Sequence, residues 1–124
     1  MNYALIIGIF IAGGSGAWAR FTCDRFVKKL WKKHIPLGTF LINIVGSFFL
    51  GLLAGTIASQ TITDTWIITI IGAGFLGGFT TFSSAMVEVV THLRIKQHHA
   101  VYFLLLIQPL LALTCAALGF AITS

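Results

Sequence analysis

Asn43 sits in an apolar stretch, with Thr39 four residues before it and Ser47 four after. Residues four apart on a helix share a face, so these three form a polar stripe. Their hydroxyls and amide suit either of two tasks: donating to an anion, or bonding a neighbouring helix. In lipid they cannot stay bare. A second cluster lies further along. Gly72, Gly74, Gly77 and Gly78 crowd an apolar run that leads into Phe79-Thr80-Thr81-Phe82-Ser83-Ser84. Adjacent glycines followed by β-branched threonines are poor helix material, which predicts a local break over Gly77–Ser83. A break frees carbonyls and amides, and at membrane depth these need a partner in protein or an ion. The spacing of Gly74 and Gly78 equally fits close packing against another helix. Glu88 follows Ser84 by four residues and shares its face. It belongs either to this polar surface or to the membrane interface.

Enzyme chemistry finds no footing. No Ser or Cys nucleophile has a His and an acid at plausible depth, and there is no phosphate loop. His92, His98 and His99 share a loop without the Cys or carboxylate company of a metal site. Cys23 and Cys115 lie far apart without a metal-type or CxxC spacing and are expected to be unpaired thiols. The expectation is a protein that is not an enzyme.

The scaffold that must position these residues follows from composition. Of 124 residues, 57% are hydrophobic and 9% charged, against about 25% charged in an ordinary soluble domain. A soluble domain this small has too much surface for so few charges. An all-α membrane protein remains, a single domain over residues 1–124 with four spans at about 2–20, 37–59, 65–90 and 99–122. The connections are short, so consecutive helices are antiparallel neighbours. Ala17-Trp18-Ala19 imitates a signal-peptide cleavage site. The residues before the apolar run carry no positive charge, so the first span reads as a retained helix.

The eight Lys plus Arg outnumber three Asp plus Glu, and they are placed with strong bias. Arg20, Arg25, Lys28, Lys29, Lys32 and Lys33 flank or fill the first loop, and Arg94 and Lys96 lie in the third. The positive-inside rule makes both loops cytoplasmic and both termini extracellular, in a multi-pass protein of the cell membrane. Within the first loop, Phe26, Val27, Leu30 and Trp31 fall on one helical face and the basic residues on the other. This predicts a short amphipathic helix in the interface, closed by Pro36.

Gly77-Gly78-Phe79-Thr80-Thr81-Phe82-Ser83-Ser84, with Gly38-Thr39-Phe40-Leu41-Ile42-Asn43-Ile44-Val45-Gly46 before it, resembles the fluoride channel family called Fluc or CrcB. Gly13-Gly14-Ser15-Gly16 followed by Arg20 is similar to that family's first-helix signature, and Ala117-Leu118-Gly119 to the end of its fourth helix. The resemblance covers the whole chain. It implies an antiparallel, double-barrelled dimer that exports fluoride passively and lowers its cytoplasmic level. It further implies a central structural Na⁺ held by the backbone carbonyls of Gly77 and Thr80 from each subunit. Asn43 would donate to fluoride, and Phe82 would be the first residue of the family's phenylalanine box, its positive ring edge facing the anion. Thr39, Ser83, Ser84 and Glu88 would lie along the same path.

Three features depart from the family pattern. Ala85 stands where a second phenylalanine is expected. The fourth helix offers only Gln108 and Thr114 where the family has a row of hydroxyls and a histidine, and Pro109 is expected to kink it. The one-sided charge bias also disfavours insertion in both orientations. A second homologous subunit of opposite orientation is therefore the expected partner, with a homodimer as the alternative. Two rival functions remain. A small dual-topology drug or metabolite transporter needs a membrane-embedded acid that the first span lacks. A non-conducting assembly subunit would not need the Gly77–Ser83 run or Asn43.

Overall fold

A computed structural model describes residues 2–31 and 37–124. Every element among them is helical: α1 (Tyr3–Leu30), α2 (Leu37–Ala58), α3 (Thr65–Thr69), α4 (Gly77–Phe79), α5 (Ser83–Arg94), α6 (His98–Tyr102) and α7 (Gln108–Thr123). Wide π-helical turns at Ile70–Leu76 and Phe103–Ile107 join α3 to α4 and α6 to α7. Four stretches are long and apolar enough to cross a membrane: Tyr3–Leu30, Leu37–Ala58, Thr65–Arg94 and His98–Thr123.

The exterior is oily. Phe10, Trp18, Leu110, Leu113 and Ile122 are all exposed, as lipid-facing side chains should be. The buried hydrophobic cluster is small, built on Val89, Val101 and Leu104 with Met86 and Phe103 against it. Lipid offers little hydrophobic drive for helix association, so close backbone contact takes over. A Cβ on Gly16 would collide with the Phe75 carbonyl, and one on Gly78 with the Gly13 carbonyl, which brings the first and third spans together. Gly51 and Gly119 do the same for α2 and α7, against Ala116 and Phe48. The Thr123 hydroxyl reinforces that pair by donating to the Leu52 carbonyl at 2.8 Å.

The helix ends follow local chemistry. Asp64 caps α3, accepting from the amides of Trp66 at 2.9 Å and Ile67 at 3.3 Å. The π turn ends at Gln108, just before Pro109, whose ring cannot donate and crowds the preceding turn. A π turn therefore stands where the sequence leads one to expect a kink. One expectation changes. Phe26–Leu30 form no separate interfacial helix, because α1 continues unbroken for 28 residues. At 1.5 Å per residue it is about 42 Å long, beyond a hydrocarbon core of about 30 Å, so its last turns carry Arg25, Lys28 and Lys29 past the core. Lys32, Lys33 and Pro36 lie outside the described residues.

The third span is broken within the expected window, but at its threonines. Gly77 keeps helical angles, and no glycine takes a positive φ. Thr80 leaves the helix with φ −79 and ψ 156, and the helix resumes at Ser83. Gly74 and Gly78 serve packing, against Ala12 and Gly13. Both readings of this run hold, each for different residues.

Candidate functional site

Residues Thr80–Phe82 open the helical ladder, and side chains take several of the groups released there. The Thr81 amide donates to Asn43 Oδ1 at 2.9 Å, and Asn43 Nδ2 donates to the Thr81 carbonyl at 2.9 Å. Because a backbone N–H can only donate, it fixes which end of the Asn43 amide faces it. The Ser84 amide donates to Thr81 Oγ1 at 3.2 Å, capping α5. In an unbroken helix these two amides would have served the carbonyls four residues earlier, those of Gly77 and Thr80. Side chains have diverted both donors. The Thr80 hydroxyl, like its amide, turns back to the Leu76 carbonyl at 3.0 Å. The Gly77 and Thr80 carbonyls are thus left as oxygens without their helical donors, the donor type a hard cation accepts. The chain therefore fits the Na⁺ ligation that the resemblance implies.

Thr81 stands between two cavities and lines both. The first, about 420 Å³, is polar and mixes charges: Arg20, Asp24, Lys28 and Glu88 line it together with Thr39, Ser83 and Ser84. The buried Thr39 hydroxyl donates to Glu88 Oε1 at 2.7 Å, while Glu88 Oε2 is buried without a hydrogen bond. Asp24 and Lys28 pair at 2.8 Å. The second cavity, about 340 Å³, is lined by Asn43, Ser47, Thr80, Phe82, Ala85 and Gln108 among others. Phe82 is 76% exposed, with its ring largely free of its own chain. Gln108 is 5% exposed and its Oε1 has no hydrogen bond.

The polar stripe of α2 is therefore divided. Thr39 serves the first cavity, Asn43 and Ser47 the second, and Asn43 also holds the break. Arg20, Ser83, Ser84 and Glu88 gather with Thr39, and Phe82 with Asn43. Ala85 is buried and lines the second cavity, so a phenylalanine there would fill space that alanine leaves open. Sequence reasoning missed Thr81 as the hub. Two threonines in a row gave no sign of which one a side chain from α2 would bind. It also gave little weight to Gln108 and Asp24, although a lone amide and a lone acid beside apolar runs were signals.

The family described as CrcB-like protein, Camphor Resistance (CrcB), matches residues 7–120 of this chain. The fluoride-specific ion channel FluC 3 of Bifidobacterium longum is 34% identical over 122 residues, covering 98% of this chain and 100% of that protein. The fluoride-specific ion channel FluC 1 of Leifsonia xyli subsp. xyli is 37% identical over 119 residues, with 96% and 86% covered. The fluoride-specific ion channel FluC of Alteromonas mediterranea is 43% identical over 93 residues, with 73% of each chain covered.

Proposed function

This chain belongs to the CrcB family, and on that premise we propose that it is a subunit of a fluoride-selective channel exporting fluoride passively from the cell. It is a channel component and not an enzyme. The observation that carries the reading is the helix break that Asn43 holds between two cavities. Fluoride is small and tightly hydrated, so a selective path needs close donors that replace its water. Hydroxyls of Ser83 and Ser84 stand on one side of Thr81, beside Thr39, whose proton goes to Glu88. The Asn43 amide and the Phe82 ring edge stand on the other. An amide nitrogen has two hydrogens, and the Thr81 carbonyl takes one.

The assembly is an antiparallel dimer. The diverted donors at Gly77 and Thr80 support a Na⁺ at its centre, with two carbonyls from each subunit satisfying a hard cation. The membrane is the plasma membrane, with the basic first and third loops cytoplasmic and both termini outside. Every Lys and Arg falls in or beside those two loops, so one orientation dominates and the inverse subunit is a second homologue. Ala85 and the sparse polar groups of the fourth span agree with a partner that supplies what this chain lacks.

The test is reconstitution into liposomes of this chain alone, then with a second homologue from the same source, with efflux read by a fluoride electrode. Fluoride release that requires both chains is expected. Full release by the single chain, with head-to-tail self cross-links, would replace the heterodimer by a homodimer. No fluoride release from any combination would overturn the channel reading.

A further inference from the structure

Helix α1 carries Arg20, Asp24 and Lys28 at four-residue steps, and all three line the first cavity. Asp24 is held on two sides. Its Oδ2 pairs with Lys28 Nζ at 2.8 Å. Its Oδ1 is buried without a hydrogen bond and lies where a Cβ on Gly38 would stand. Gly38 is the second residue of α2, so the carboxylate is wedged at that helix's amino-terminal end, where the dipole favours negative charge. The two partners differ in depth: the Lys28 side chain is 65% exposed and that of Asp24 23%. An anion arriving from this end meets the ammonium first and the recessed carboxylate behind it.

We propose that Asp24 is a positioning residue for anion capture. It holds the Lys28 ammonium at the mouth of the first cavity and, by offsetting that charge, sets how strongly the mouth attracts fluoride. The identity of the anion rests on the function proposed above; the electrostatic role does not. Conduction needs an ion to be attracted but not trapped. An uncompensated Lys28 beside Arg20 would capture a dilute anion faster and slow its release only near saturation, and a mouth without Lys28 would leave Arg20 alone to oppose Glu88 and Asp24.

The test compares Asp24→Asn, Asp24→Glu and Lys28→Gln with two readouts. The first is fluoride efflux from the reconstituted assembly at subsaturating fluoride. At low ionic strength Asp24→Asn raises the rate about threefold and Lys28→Gln lowers it about threefold, as single charges a few ångströms from the path should. The difference vanishes in about 1 M salt, where screening acts within about 3 Å, and Asp24→Glu behaves as the parent. The second readout needs no conduction. With Cys23 and Cys115 changed to Ser, a cysteine replaces Val87, which lines the same cavity and is 65% exposed. The ratio of its modification rates by anionic and neutral methanethiosulfonates reports the local potential. It rises in Asp24→Asn and falls in Lys28→Gln. An unchanged ratio in both variants, or effects of the same sign that persist in high salt, would reduce the pair to a mechanical tie between α1 and α2. If the parent passes no fluoride, the fluoride reading fails while this ratio still decides the role of Asp24.

Discussion

The Asn43 side chain meets the Thr81 backbone twice, with 2.9 Å from the Thr81 amide to Oδ1 and 2.9 Å from Nδ2 to the Thr81 carbonyl. One residue of α2 thereby replaces two rungs of the helical ladder in the third span. It can do so because one planar amide carries both a donor and an acceptor.

Asn43→Leu removes both partners. Each buried backbone group left unmet costs about 1–3 kcal/mol. The unfolding midpoint in detergent should fall by several degrees and fluoride flux should be lost, while Asn43→Gln, which keeps both groups on a longer arm, retains part of each. An Asn43→Leu protein with an unchanged midpoint would contradict the pinning role.

The glycines of the third span should separate by place. A Cβ on Gly78 collides with the Gly13 carbonyl, whereas one on Gly77 finds only the Gly72 carbonyl, at 3.7 Å. Gly78→Ala should lower the unfolding midpoint, since overpacking at a backbone contact costs about 1–3 kcal/mol. Gly77→Ala should leave the isolated chain unharmed. Any loss it causes must then arise in the proposed dimer, read as weakened association or lost dependence on the proposed Na⁺. Side-chain changes at Thr80 that spare the backbone should be milder than Gly77→Val.

These sites were unequally legible in the sequence. The four spans were plain because apolar length alone defines them, and the break was placed within seven residues by its run of poor helix formers. The choice of Thr80–Phe82 was hidden, because the pair that fixes it spans a separation of 38 residues. Gly77 and Gly78 looked like the cause of the break and proved to be ordinary helix. Their value lies in small size, which composition reports without saying what comes close. The burial of Gln108 depends on how the π turn rotates the fourth span, and no periodicity rule anticipates such a turn.

Gln108 carries a buried carbonyl oxygen without a hydrogen bond, facing the cavity that holds Asn43 and Phe82. Gln108→Leu removes that unmet acceptor and should raise the unfolding midpoint slightly, by the equivalent of about 1 kcal/mol. It also makes the cavity wall apolar, so fluoride flux should fall. A stabilised variant with full flux would exclude Gln108 from the path.

Phe82 contributes little to its own chain, being 76% exposed. Phe82→Ile should leave the unfolding midpoint and the elution volume of the assembly unchanged and reduce fluoride flux at least tenfold, about 1.4 kcal/mol on the barrier. A midpoint that falls with the flux would assign the ring to packing instead.

The most direct measurement follows fluoride and chloride efflux together from the same proteoliposomes containing the functional assembly, with ion-selective electrodes. The account predicts rapid fluoride release with chloride retained, because chloride is too wide for a path built on close donors such as the Asn43 amide and the Phe82 ring edge. Comparable release of both ions would contradict it.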